Sequence, residues 1–165
     1  MKKKLFGKVI FGAALLVGVN CYALTLGQIG NWDTSAELPK VVKVIDQVLS
    51  QPLSPAQKNQ LGTLKKHVID LQTAEHNIKV TLDVWNKLNE ELSKIHHTGV
   101  DKQSHPYAWS GHTTAEGKPE PRWEKVQADQ RNANAEAADK RQIVKATIRD
   151  LEPDLKDKLE ELLIK

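Results

Sequence analysis

The stretch LSPAQKNQLGTLKKHVIDLQTAEHNIKVTLDVWNKLNEELSKIHH, residues 53–97, decides how this chain is read. It opens on a helix start signal. Ser54 can cap the first-turn N–H groups, Pro55 takes the first helical position, and Gln57 can reach back to the Ser54 backbone to complete a capping box. From Leu61, alternating steps of three and four visit Leu64, Val68, Leu71, Glu75, Ile78, Leu82, Trp85, Asn89, Leu92 and His96. Eight of those eleven positions are apolar, which predicts one long amphipathic helix whose heptad-like seam is interrupted at Glu75 and Asn89. A period of 3.6 drifts against a repeat of seven, so Leu88 and Ile95 take over the seam late. Gly99 supplies a stop. A helix of about forty residues is on the order of 60 Å long, and its oily side needs a companion rod.

Working upstream, Leu38, Val41, Val42, Ile45, Val48 and Leu49 recur at helical spacing, with Pro39 in the first turn, so a short helix should end by Gln51-Pro52. The residues before it, 24–37, are Gly-containing and largely polar and read as a flexible N-terminal arm with Trp32 as its largest apolar anchor. Downstream, residues 98–121 hold glycines and prolines without periodicity and read as a connection. Helical spacing returns from about Pro121 through Trp123, Val126, Ala133, Ala137, Val144, Ile148 and Leu151. Pro153 breaks it, and Leu155, Leu159, Leu162 and Leu163 mark a short terminal helix. The fold class expected is all-α: an antiparallel hairpin of long helices with short N- and C-terminal helices, forming a single helical domain over residues 38–165. The seam could pair within the chain or between chains, so a homodimer stays open.

Residues 1–23 read as an export signal: Lys2, Lys3, Lys4 and Lys8, an apolar run from Val9 to Val19 too short to span a bilayer, then Cys21-Tyr22-Ala23 before the expected cleavage. Its removal takes four lysines and no acid, so the 24 basic and 21 acidic residues of the whole chain become 20 and 21. Nucleic-acid binding loses its electrostatic support, and no stable membrane anchor is expected after the signal is gone. The only cysteine and both phenylalanines also leave, which suits a periplasmic or secreted protein without disulfides and with an aliphatic core.

Leu53-Ser54-Pro55-Ala56-Gln57 and Leu151-Glu152-Pro153-Asp154-Leu155 echo one another. Two Pro-initiated helix starts account for that echo. The layout also resembles the periplasmic helical chaperones and stress adaptors that carry a twice-occurring LTxxQ motif. Leu53, Ser54, Pro55 and Gln57 match the first copy with serine for threonine; Leu151 and Pro153 stand where the second would be, without its hydroxyl residue and glutamine. That resemblance implies a dimeric, cradle-shaped helical protein that holds unfolding clients without ATP.

Four of the six histidines, His96, His97, His105 and His112, fall within seventeen residues. Converging imidazoles could bind Zn²⁺ or Cu²⁺. Adjacent histidines on a helix point about 100° apart, however, and the spacing fits no zinc pattern. The four are therefore read as helix-end and loop residues, and no metal or cofactor is expected. Tyr107, Trp109 and Trp123 read as an apolar cap on the end of the hairpin, or as an exposed recognition tip. With no nucleophile elbow, phosphate-cradling glycine loop or HExxH, an enzyme is not expected. The function expected is an exported binding protein for protein partners or unfolded clients: an ATP-independent periplasmic chaperone or envelope-stress adaptor. A structural subunit of a secretion or conjugation apparatus is the first alternative and a metal-binding periplasmic protein the second. The partner-binding residues are Leu71, Ile78, Leu82 and Trp85 on the long helix, with Tyr107 and Trp109 at its tip. Ordinary intrachain core is an equally good reading of that seam.

Overall fold

A computed structural model describes residues 24–99 and 121–164, the side chains of 93–99 excepted. The described chain is all-α. Two short 3-10 turns, Leu26–Gln28 and Trp32–Glu37, precede four helices: α1 (Leu38–Leu49), α2 (Pro55–Gly99), α3 (Pro121–Arg149) and α4 (Pro153–Leu163). Every helix but α1 begins on a proline, and α1 carries Pro39 in its first turn. The ring fixes φ at a helical value where the missing N–H has no intrahelical partner.

The α2 start forms as its sequence dictates. Ser54 N–H donates to Gln57 Oε1 at 3.1 Å and Gln57 N–H donates to Ser54 Oγ at 3.2 Å, the two halves of a capping box. α2 then runs unbroken for 45 residues, about 67 Å. α3 lies beside it with the opposite sense: Glu91 is opposite Arg122, Glu75 opposite Arg141, and Gln57 opposite Glu152.

Two apolar clusters hold these elements. At the base, Leu61, Leu64, Val68 and Leu71 of α2 meet Val144 and Ile148 of α3, the buried stripe of α1, and Leu155, Leu159 and Leu163 of α4. At the far end, Leu88 and Leu92 meet Trp123 and Val126, with Trp85 packed alongside. The late drift of the seam is visible there, since Leu88 has replaced Asn89 on the buried side. Between the clusters the interface narrows to Ala74, Ala133 and Ala137, all buried. Small side chains at these places let two helix backbones approach closely. On α1, Val44 joins the expected stripe in the core, while Val42 and Leu49 only flank it.

The arm at 24–37 is packed, contrary to the expectation of a loose one. Leu24, Leu26 and Ile29 are buried in the base cluster. A second capping box holds the first turn, with Thr25 N–H donating to Gln28 Oε1 at 2.9 Å. The Thr34 hydroxyl is within 3.0 Å of Gln28 O and 2.9 Å of Asn31 O, tying the two 3-10 turns together. Trp32 is not the anchor: it is 70% exposed, and its ring lies against the Arg141 guanidinium, 5.6 Å from Cζ to ring centroid. Gly30 makes the close pass possible. Its φ is +85°, and a Cβ there would sit 3.2 Å from the Arg141 carbonyl oxygen.

Candidate functional site

The only buried charged residue among the described ones is Glu75, 8% exposed, and it marks the point where the seam of α2 is interrupted. Arg141 of α3 answers it: Nε donates to Glu75 Oε1 at 2.9 Å and Nη2 donates to the same oxygen. With Trp32 on one side of the guanidinium and Glu75 on the other, three elements far apart in sequence meet around one side chain. A buried carboxylate survives only with such a partner. The node is structural, and it locks the middle of the helix pair.

The two echoing motifs also come together. Gln57 Nε2 donates to Glu152 Oε2 at 3.1 Å, and Glu152 N–H donates to Gln60 Oε1 at 3.2 Å. Leu53 lies half-buried against the base cluster, while Leu151 and Leu155 are buried in it. Pro153 opens α4 as Pro55 opens α2. A further stretch, Leu24-Thr25-Leu26-Gly27-Gln28, which has the leucine, hydroxyl residue and glutamine spacing of 53–57, feeds the same cluster. Its capping-box signature was present in the sequence and, together with two leucines, marks an ordered start. All three stretches join one base, and the two with hydroxyl residue and glutamine also cap a helix start.

The proposed binding stripe divides. Leu71 is 1% exposed and wholly inside the base cluster, so it cannot present a surface to a partner. Its burial follows from the crowding of α1 and α3 onto the first four turns of α2. Among the described residues only α3 covers α2 beyond Glu75, and the stripe opens: Ile78 is half-buried and Leu82 is 41% exposed. Trp85 is half-buried, its ring centroid 5.2 Å from that of Trp123 and tilted by 44°. Trp123, in the first turn of α3, therefore belongs to the interhelical core. Tyr107, Trp109, His105 and His112 lie outside the described residues, as do the side chains of His96 and His97.

On the other flank of α2, residues off the seam are also uncovered. Val80 and Val84 are 45% and 47% exposed. They line a groove between α2 and α3 that Thr81, Leu88, Val126 and Ala133 floor. Sequence reading along the seam passed over these valines because they stand about 100° or more from it on the helix. The distal half of the helix pair thus shows apolar side chains on both flanks, while Ile69, Trp32 and Ile164 are the exposed large apolar residues elsewhere among the described ones.

Among the described residues no group of three or more His, Cys, Asp or Glu side chains could hold a metal ion. No helix among them is long and apolar enough to cross a membrane. No family model, curated protein or solved structure matches the chain.

Proposed function

We propose that this is an exported, non-enzymatic binding protein that holds unfolded or partly folded proteins in the bacterial periplasm without ATP, as a chaperone or envelope-stress adaptor. The observation that carries the reading is the apolar stripe of α2 beyond Glu75, where Leu82 is 41% exposed and Ile78 half-buried, next to Trp85, which packs on Trp123. Side chains that a monomer's own core does not need, placed in a row on a rigid support, are what a low-specificity apolar contact requires. The export-like leader and the cysteine-free remainder support the location.

Aggregation of a reduced or heated client, followed by light scattering, tests the proposal. The purified protein is expected to suppress scattering at near-stoichiometric ratio, and Leu82→Glu is expected to weaken suppression severalfold while leaving the far-ultraviolet spectrum unchanged. Full suppression by Leu82→Glu would remove the stripe from the account. Lack of suppression by the native protein would favour a structural subunit of an envelope apparatus.

A further inference from the structure

The valine-lined groove on the opposite flank of α2 is a separate surface from the client stripe, since Val80 and Leu82 point about 200° apart on the helix. It runs from Asn77 and Glu136 at one end to Glu91 and Arg122 at the other, about 21 Å along α2. Val80, Thr81, Val84, Val126 and Ala133 line it, all short side chains. A row of short side chains between two antiparallel helices receives a ridge of longer ones from outside. The walls are helical throughout, so their backbone N–H and C=O groups are already paired within α2 and α3. An extended segment laid there would find no strand edge to pair with, whereas a helix arrives with its own hydrogen bonds made.

The rim charges are distributed unevenly along the axis. Toward the distal end Lys87, Arg122 and Lys125 accompany Glu91, whereas the other end is lined by Asp129 and Glu136 with no cation. Arg122 lies 3.6 Å from Glu91, and Lys125 lies 2.6 Å from Asp129, so these four charges are answered within the chain. Lys87 and Glu136 are not: neither has an ion-pair or hydrogen-bond partner among the described residues. They stand toward opposite ends of the groove, roughly two to three helical turns apart along its axis.

We propose that the groove docks an amphipathic helix of a partner protein, one with acids near its N-terminus, leucine-sized residues along one face, and bases near its C-terminus. The acids answer Lys87 and the bases answer Glu136. A helix of the opposite polarity, bases first, would match both rims by lying the other way round. It would work against its own macrodipole, which favours acids in the first turn and bases in the last. The favoured occupant therefore lies parallel to α3, with its N-terminus at the Arg122 end. It makes a three-helix layer of the distal half, where among the described residues α2 has only α3 beside it. This docking is independent of client holding, which uses the Leu82 flank.

The probe is a synthetic peptide of about sixteen residues, long enough to fill the groove as a helix. It is capped at both ends, with glutamates in its first turn, lysines in its last and leucines at helical spacing between. Fluorescence anisotropy against the purified protein is expected to give a micromolar dissociation constant. Versions with glutamate at both ends, or lysine at both ends, should bind about fivefold more weakly. Val84→Glu should abolish binding at unchanged helix content, and Leu82→Glu should leave it unchanged, which separates this groove from the client stripe. Lys87→Glu should weaken the mixed peptide and tighten the lysine-only one, a crossover that differences in peptide helicity cannot produce. A nitroxide on the N-terminus of the mixed peptide should broaden the amide resonance of Arg122 more than that of Glu136. Three peptides binding alike, none binding at hundreds of micromolar, or binding that follows Leu82 and not Val84 overturns the proposal. So does a dimer that Val84→Glu dissociates and the peptide does not, which would give the groove to a second copy.

Discussion

Replacing Arg141 with methionine is expected to destabilise the protein by about 3 kcal/mol, the lower end of what losing one partner of a buried ion pair costs. The guanidinium is the cation that faces the Glu75 carboxylate, and the two side chains are 15% and 10% exposed. Without it a carboxylate is left between two helices whose neighbouring residues at this level are alanines. The residual exposure of both groups argues for the lower end of the range. The second loss is the Trp32 contact, through which the 24–37 segment is held to the middle of α3. Equilibrium denaturation followed by circular dichroism measures the effect. The pair also makes a sharper prediction: Glu75→Leu combined with Arg141→Met should recover most of the stability, because removing both charges removes the unpaired one. A cost under about 1 kcal/mol for Arg141→Met would mean that water already solvates Glu75 and that the node holds nothing together.

Leu155→Ala is expected to cost about 2–5 kcal/mol. Leu155 is fully buried, and α4 meets the rest of the molecule chiefly through α1 and the first 3-10 turn. A cavity there loosens the one element that closes the base. Leu82→Ala, on the same measurement, should stay within about 0.5 kcal/mol, since Leu82 is 41% exposed. The contrast between two leucines of the same chain checks the division between a packed base and an open distal half. Comparable costs at both positions would contradict it.

Much of this architecture was legible in the sequence, and the reasons for the rest are physical. The proline and capping signals mark where helices begin: Pro55 and Pro153 each open one. The apolar residues named on α3, from Trp123 to Ile148, are all buried. Periodicity tells which face of a helix turns inward, but it does not tell what lies opposite. Glu75 was therefore visible as a flaw in the seam, while its partner, 66 residues away, was not. Leu71 and Leu82 looked equivalent on one stripe and differ in burial, because α1 packs on only one end of α2. The arm was misread for a related reason. Its glycines suggested looseness, whereas Gly30 serves a close pass over α3, and Leu24, Leu26 and Ile29 find their cavity only once α1, α2 and α4 are assembled.

Both candidate surfaces exist only if α2 is one straight rod from its cap to its distal end. Spin labels placed through Lys58→Cys and Glu91→Cys in a Cys21→Ser background, diluted with unlabelled protein, measure that rod by double electron–electron resonance. Thirty-three residues of continuous helix separate the sites, so a single narrow distance distribution centred near about 50 Å is expected. A broad distribution, or one centred below about 40 Å, would show α2 broken or bent, and the client stripe and the valine-lined groove would both lose their support.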